Sequence, residues 1–169
     1  MKIGVIGDTH GSVQAIRQVL QKTVPVEQWL HTGDYAHDAN ILATSTSLPV
    51  VAVRGNCDGW ESPAKLDIFL EFEGFKVWVT HGNKYLRNGG VQELAWWGHK
   101  FEVNVVVFGH THVPLVQEET GLLLFNPGSP VLPRGGFPPS FGILTLKVGQ
   151  KPAGEICFLK KTGTARPWF

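Results

Sequence analysis

Val105-Val106-Val107-Phe108-Gly109-His110-Thr111-His112 is the stretch of sequence that decides the fold. Four consecutive apolar residues are typical of a strand that is covered on both faces of its sheet. The glycine after them lets the backbone turn sharply as it leaves the strand. Because side chains at positions i and i+2 of an extended segment point the same way, His110 and His112 are expected to face a ligand. The alternative is two hydrogen-bonded polar side chains at the end of a strand.

The composition restricts the class of protein. The chain has 169 residues, of which 43% are apolar and 17% charged, and 15 basic side chains nearly balance 14 acidic ones. We therefore expect one domain over residues 1–169 with a sizeable core and no charge excess that would recruit nucleic acid. The two cysteines are too few for a disulfide framework and fit a reducing compartment. With no long apolar run and no secretion signal, a cytoplasmic protein without a membrane partner is predicted.

One arrangement recurs along the chain: an apolar strand, then a polar side chain beside a glycine. Such strands are predicted over residues 2–6, 28–32, 50–53, 75–80 and 105–108. The polar side chains at their ends are Asp8, His10, Asp34, Asn56, His81, His110 and His112. Because ligands of open α/β sheets bind outside the carboxyl ends of the strands, these seven side chains are expected to converge. Helix caps, turn residues or buried histidines explain any one of them alone.

The remaining pattern predicts three helices and more strands. The first helix is expected to be capped by Ser12, and the others to cover about residues 36–46 and 90–101. Residues 68–72 and 75–80 form a predicted hairpin. The C-terminal third indicates antiparallel strands over residues 114–118, 122–126, 141–147 and 155–159, which we expect to form a second sheet. Three other histidines, at positions 31, 37 and 99, are expected to be core or surface residues.

The chemistry of the seven side chains indicates a pair of metal ions. Carboxylate, imidazole and amide ligands suit Mn²⁺, Fe, Zn²⁺ or Ni²⁺ better than Mg²⁺ or Ca²⁺, and Mn²⁺ is the preferred prediction. Seven ligands exceed what one ion takes from a protein, whereas two ions about 3.5 to 4 Å apart fit that number. Such a pair activates a shared water and neutralises charge on phosphoryl oxygens. The predicted reaction is therefore hydrolysis of a phosphate ester.

Five motifs in chain order carry a family resemblance. They are Asp8-x-His10, Gly33-Asp34, Gly55-Asn56-x-Asp58, His81-Gly82 and Gly109-His110-x-His112. Together they resemble the signature of the calcineurin-like metallophosphoesterases. The segment Asn126-Pro127-Gly128-Ser129 is similar to one in the small single-domain bacterial and archaeal branch, whose third motif reads Gly-Asn-Cys-Asp. The resemblance implies an α/β fold: a four-layer αββα sandwich of two mixed β-sheets flanked by helices.

The resemblance also implies a role for each position. Asp8, His10 and His112 would hold one ion (the first site), Asn56, His81 and His110 would hold the other (the second site), and Asp34 would bridge them. The implied catalytic residues are Asp34, Asn56, Cys57, Asp58 and His81, with attack by a metal-bridging hydroxide. Arg54 and Asn83 are candidate substrate-binding residues, although a surface ion pair is the commoner fate of such an arginine.

Cys57 is a departure from the pattern. Many members of the family have a histidine here that helps the leaving group depart, and a thiol with the ordinary pKa of about 8.5 is a poorer proton donor. We therefore expect activity on phosphodiesters, or on monoesters with good leaving groups. The alternative role for Cys57 is that of a small buried filler.

Three functional interpretations follow. The first is a two-metal phosphodiesterase or phosphatase acting on a small phosphate ester. The second is a non-catalytic scaffold, because the small retromer subunit resembles the same fold, and the intact ligand set favours the enzyme. A nucleic-acid-processing role is the third, and the lack of a basic excess argues against it. Tryptophans that are expected to be exposed favour a homo-oligomer, and Pro167-Trp168-Phe169 is expected to pack on a neighbour or a partner.

Overall fold

The computed structural model describes residues 1–87 and 90–159. The strands in these ranges are β1 Lys2–Ile6, β2 Gln28–His31, β3 Val50–Ala52, β4 Asp67–Phe72, β5 Phe75–Thr80, β6 Val105–Val107, β7 Leu115–Glu119, β8 Leu122–Asn126, β9 Ser140–Thr145 and β10 Ala153–Phe158. The helices are α1 Val13–Lys22, α2 Ala39–Thr46 and α3 Val91–Lys100, with a 3₁₀ turn over Ala36–Asp38. The expected packing of Pro167-Trp168-Phe169 lies outside the described residues.

The strands form two mixed five-stranded sheets. The first has the order β10-β9-β1-β2-β3 and the second the order β4-β5-β6-β8-β7. In the first, β1, β2 and β3 run parallel, and β9 and β10 pair antiparallel. In the second, β5, β6 and β8 run parallel between two antiparallel edge strands. The carboxyl ends of β1, β2 and β3 therefore meet at one edge of the first sheet, and those of β5, β6 and β8 at one edge of the second.

Three apolar clusters define four layers. The cluster between the sheets includes Val5, Leu30, Val79, Val107 and Phe125. Another joins the first sheet to α1 and α2 through Ile16, Val19, Trp29 and Leu42, and a third joins the second sheet to α3 through Trp78, Leu94 and Val106. The order is helices, sheet, sheet, helix, which confirms the predicted αββα sandwich of two mixed sheets.

The expectation that the C-terminal strands form a sheet of their own is wrong. Strands β7 and β8 extend the sheet of β5 and β6, and β9 and β10 extend the sheet of β1. All five residues of β8 are buried, as is typical of an interior strand, and β6 pairs with β8 in parallel on the side away from β7. The antiparallel hairpin of β7 and β8 is a local pattern, whereas the partner on the other side is set by packing far along the chain.

The predicted helices are present with small shifts at their ends. Ser12 caps α1, because its hydroxyl accepts a hydrogen bond from Ala15 N at 3.3 Å. The second helix begins as the 3₁₀ turn and becomes α-helical at Ala39. No helix within residues 1–87 and 90–159 is long and apolar enough to cross a membrane.

A buried polar chain joins the loops that follow β1 and β2. His31 Nε2 lies 3.0 Å from Thr9 Oγ1, and Thr9 Oγ1 donates to Asp38 Oδ2 at 2.7 Å. His31 Nδ1 accepts a hydrogen bond from Gly33 N at 3.2 Å. The side chains of Thr9, His31 and Asp38 are almost fully buried. His31 was expected to be a core or surface residue, and the structure shows that it is a core residue bonded on both ring nitrogens.

The hydrogen bonds of His31 require a neutral ring, because Nδ1 can accept from Gly33 only without its own proton. Burial lowers the pKa of His31 to about 4, against the opposing attraction of the Asp38 carboxylate. An unfolded histidine has a pKa of about 6.5. The free energy of unfolding therefore falls as the pH drops from about 6.5 towards 4, because in this range only the unfolded chain binds the proton.

We predict that His31→Gln flattens this pH dependence. Between pH 7.5 and pH 4.5 the wild-type protein loses about 2–3 kcal/mol of unfolding free energy at His31 alone, and a glutamine cannot titrate. The measurement is urea unfolding of both proteins at the two pH values. His99→Gln is the control, since His99 is exposed and pairs with Thr120 at the surface. Equal pH dependence in wild type and His31→Gln would contradict the assignment.

Candidate metal centre

The structure brings Asp8, His10, Asp34 and His112 into one group. One donor atom from each of these residues lies within 4.8 Å of all the others. His112 Nε2 is 3.3 Å from Asp8 Oδ1 and 3.4 Å from His10 Nε2. Three of the four residues are buried, and His10 is partly exposed. Two carboxylates and two imidazoles at this spacing form a donor set that could hold a divalent cation.

A second group lies on the other side of Asp34. His81 Nε2 is 3.0 Å from Asn56 Oδ1 and 3.3 Å from Asp34 Oδ1. The ring of His110 packs edge-on against the ring of His81, with centroids 5.1 Å apart. All seven side chains singled out in the sequence thus lie at the facing ends of the two sheets, and they divide into two groups that share Asp34.

Asp34 faces both groups with different oxygens. Its Oδ1 is the atom near His81, and its Oδ2 lies 4.0 Å from His10 Nε2. Burial acts to raise the pKa of this carboxyl, but His81, the hydrogen bond from Cys57 N and His10 outweigh it, so the net pKa lies below its ordinary value. Asp34 is therefore an anion placed between the two groups of imidazoles.

Backbone carbonyls orient two of the histidines. His81 Nδ1 is 2.8 Å from Thr32 O, and His112 Nδ1 is 2.7 Å from Leu132 O. A proton on each Nδ1 satisfies the carbonyl and leaves the Nε2 lone pair directed into the site. The adjacent Asp8 carboxylate raises the pKa of His112, whereas burial and the neighbouring His81 lower the pKa of His110.

His110 and His112 do not lie on an extended segment, so the expected i, i+2 geometry is wrong. Strand β6 ends at Val107, and both histidines have a left-handed backbone, with φ of 66° and 59°. His112 turns towards Asp8, and His110 turns towards His81. The two imidazoles reach opposite groups because the loop coils after the strand.

Gly109 also has a different role from the expected one. It is absent from the positions with positive φ, so a left-handed turn is not the reason for a glycine here. A Cβ at this position would lie 2.5 Å from Thr32 Oγ1 and 2.8 Å from Asp8 Oδ2. Only a residue without a side chain lets the ends of β1, β2 and β6 come this close.

The loop after β3 places Cys57 and Asp58 beside Asp34. Cys57 is exposed, and its backbone N–H donates to Asp34 Oδ1 at 2.7 Å. Partial desolvation of the thiol, then its interaction with Asp34, raises the pKa of Cys57 to about 11. Asp58 accepts hydrogen bonds from Gly55 N at 2.8 Å and Ala36 N at 2.7 Å. Its carboxylate thus ties the loop after β3 to the loop after β2.

The candidate substrate-binding residues lie outside the two groups. Arg54 donates through Nη1 to Trp60 O at 3.0 Å, which closes its own loop. Within residues 1–87 and 90–159, Arg54 forms this hydrogen bond and not the surface ion pair that was the alternative. Asn83 is half-buried in the turn after β5.

Two residues of the Asn126-Pro127-Gly128-Ser129 segment support the site, although the sequence predicted no such role for them. Asn126 Nδ2 donates to Gly109 O at 2.9 Å and to Thr111 Oγ1 at 3.1 Å, so it brackets His110. Ser129 Oγ donates to Asp8 O at 2.8 Å and accepts from Leu132 N at 2.9 Å. The signal in the sequence was a polar residue and a glycine at the end of a buried strand, because Asn126 is the last residue of β8 and Gly128 follows it.

The unpaired oxygen of Asp8 tests whether these residues fit a metal ion. Asp8 Oδ1 is buried and has no hydrogen-bond partner among the described residues. A buried carboxylate oxygen without a partner is costly. It faces the Nε2 atom of His112, whose other ring nitrogen is already bonded to a carbonyl. A divalent cation among these atoms would satisfy the oxygen, so the donor set fits one.

Comparisons with known proteins agree with this chemistry. The chain matches the family model of the calcineurin-like phosphoesterase superfamily domain over residues 1–149. It is 36% identical over 163 residues to a probable metallophosphoesterase of Methanothermobacter thermautotrophicus, covering 92% of this chain and 91% of that protein. It is 30% identical over 169 residues to the phosphodiesterase YfcE of Escherichia coli, covering 85% and 87%.

A solved structure shares the fold. Vps29 of Entamoeba histolytica, complexed with Zn²⁺, aligns with a TM-score of 0.73 over 93% of this chain and 98% of that chain. The sequence identity is 21%, so this likeness shows the fold alone. The family match extends from β1 past β9 and includes every motif that the sequence singled out. The chain belongs to the calcineurin-like phosphoesterase superfamily.

Proposed function

We propose that this chain is a phosphoesterase with two divalent metal ions that hydrolyses phosphodiesters, or phosphomonoesters with good leaving groups. The observation that carries the proposal is the pair of side-chain groups around Asp34, one of which places four donor atoms within 4.8 Å of one another. A small phosphate-ester substrate in the cytoplasm is part of the proposal, and self-association stays a prediction.

In this proposal Asp8, His10 and His112 form the first site, and Asn56, His81 and His110 form the second. Asp34 serves both, because its two oxygens face His81 and His10. The mixed imidazole, carboxylate and amide donors favour Mn²⁺, with Fe, Zn²⁺ and Ni²⁺ as alternatives. Divalent ions so held supply activation of water and neutralisation of phosphoryl charge.

The protein side chains then orient the substrate and limit the choice of leaving group. Arg54 and Asn83 are proposed to bind phosphoryl oxygens, and Arg54 must first release Trp60 O. Asn56 Nδ2 lies 3.5 Å from Cys57 Sγ, so the thiol sits directly beside the second site. A thiol is a poor proton donor to an alkoxide. Esters whose leaving group departs without a proton are therefore the favoured substrates.

The scaffold is the competing interpretation. A protein that works only by presenting surfaces does not need all seven candidate ligands, and here all seven are present and face one another. This supports the enzyme over the scaffold.

The first test measures bound metal and turnover together. We expect the purified protein, loaded with Mn²⁺, to bind two ions per chain and to hydrolyse bis(4-nitrophenyl) phosphate faster than 4-nitrophenyl phosphate. Metal is measured by mass spectrometry and turnover by absorbance. Negligible bound metal together with no turnover would favour the scaffold, and preference for an unactivated sugar phosphate would overturn the proposed substrate class.

The second prediction separates the two sites. Each of His110→Ala and His112→Ala is expected to lose one ion per chain, and the ion lost differs, because His112 faces Asp8 and His110 faces His81. Metal analysis gives the number, and a crystal structure of each variant gives the site. His99→Ala, at an exposed histidine, is expected to retain both ions. A structure with both imidazoles on one ion would contradict this assignment.

The third prediction concerns the leaving group. We expect Cys57→His to raise kcat on an unactivated alkyl phosphomonoester by about tenfold or more, since an imidazolium can protonate an alkoxide and general acid catalysis contributes about 10²–10⁴. The rate on bis(4-nitrophenyl) phosphate is expected to change little. Cys57→Ser is the matched control, because serine keeps the size but donates no better. A fall in monoester turnover for Cys57→His would show that the leaving-group argument is wrong.

A further inference from the structure

His10 lacks a backbone carbonyl of the kind that orients His81 and His112. His81 and His112 each bond a backbone carbonyl through Nδ1. For His10, the described residues offer contacts at Nε2, to His112 and Asp34, and ring contacts to Tyr35 and His112, but no hydrogen bond to Nδ1. Metal-binding histidines almost always use their second nitrogen for such a bond. Something else must set the direction of this ring.

Asp38 holds the residues on both sides of His10, Thr9 through its hydroxyl and Gly11 through its backbone N–H. Its Oδ2 accepts a hydrogen bond from Thr9 Oγ1 at 2.7 Å and another from Gly11 N at 3.0 Å. Asp38 is 2% exposed and Thr9 is fully buried. One carboxylate oxygen therefore holds the residue before His10 and the residue after it, and the centroid of the Tyr35 ring lies 5.6 Å from that of the His10 ring.

The direction of each hydrogen bond between Thr9, His31 and Asp38 follows from the donors and acceptors present. Thr9 gives its hydroxyl proton to Asp38 and so can only accept from His31 Nε2. His31 in turn accepts from Gly33 N, the residue before Asp34. The chain of bonds thus fixes the loop that carries His10 relative to the loop that carries Asp34.

The backbone of His10 needs such support. Its φ is 45°, in the left-handed region that residues other than glycine seldom adopt. Without the two bonds to Asp38, the loop would be free to relax towards an ordinary backbone conformation. The imidazole would then swing away from Asp8 and His112.

We propose that Asp38 is a positioning residue for the first site: it aims the His10 imidazole, so that loss of its Oδ2 weakens the metal ion held by Asp8, His10 and His112 and spares the ion of the second site. The inference rests on the proposed two-metal function. Asp38 contacts no candidate ligand side chain through Oδ2, so its effect on metal passes through the Thr9–Gly11 backbone.

The test is a calorimetric titration of the metal-free, full-length protein with Mn²⁺, which measures the affinity of each site. In Asp38→Ala we expect one of the two affinities to fall by about 10–100-fold, the usual effect of removing a residue that supports a ligand. Asp38→Asn keeps one oxygen that can accept both bonds, so its affinities are expected to stay close to wild type. His37→Ala is the matched control, because His37 is 69% exposed and lies near the other oxygen of Asp38.

A second readout does not depend on metal. In the metal-free protein, the NMR signals of the His10 ring are expected to shift in Asp38→Ala and to stay in place in His37→Ala. Failure of wild type to bind Mn²⁺ would overturn the proposed function, whereas an unmoved His10 signal in folded Asp38→Ala would overturn the positioning role by itself.

Other results with the Asp38 variants also test the positioning role. A folded Asp38→Ala that binds both ions with wild-type affinity, or that loses both equally, contradicts the inference, as does an Asp38→Asn no better than alanine. Should Asp38→Ala not fold, Thr9→Val removes one of the two bonds at nearly constant volume. It is expected to weaken the same ion, and unchanged binding in this variant would overturn the proposal.

Discussion

The close approach of the loops after β2 and β3 at Asp34 is the constraint on which the site depends. A Cβ at Gly55 would lie 2.3 Å from Asp34 N and 2.2 Å from Asp34 Oδ1, so a glycine is required for the two loops to pack. Cys57 N then donates to the same carboxylate, and Asp58 ties both loops together. These contacts hold the Asp34 carboxylate beside both His81 and His10, and the two groups of side chains share it for this reason.

Five of the seven candidate ligands have a left-handed backbone: Asp8, His10, Asp34, His110 and His112. Each such residue costs about 1–3 kcal/mol and persists only where its surroundings hold it. Here the surroundings are specific. Ser129 holds the Asp8 carbonyl, Asp38 brackets His10, and Asn126 brackets His110. Tight coils at the strand ends, rather than extended segments, let seven side chains from two sheets point inward at one place.

Local pattern was sufficient for the strands and for the candidate residues, because burial, strand ends and glycine positions are each encoded within a few residues. It was insufficient for the partners of β8 and β9 and for the directions of His110 and His112, which depend on packing between distant segments. The hydrogen bonds that support the ligand residues could not be predicted for the same reason. Thr9 and Asp38 are 29 residues apart, and Asp8 and Ser129 are 121 apart. Nothing near Thr9 or Asp8 in the sequence identifies those partners.

The left-handed backbone of the candidate ligands and the unpaired oxygen of Asp8 both cost folding free energy, and this bears on the choice between enzyme and scaffold. A buried carboxylate oxygen without a hydrogen bond costs about 1–3 kcal/mol, and Asp8 Oδ1 is such an atom among the described residues. The left-handed ligand positions add to that cost. A chain that only presented its surface would gain stability by relaxing either feature. A bound cation would offset both costs, because it would satisfy the oxygen and coordinate the imidazoles in their present directions. The strain and the unpaired oxygen therefore lie where a bound cation would offset their cost, which supports the proposed metal site.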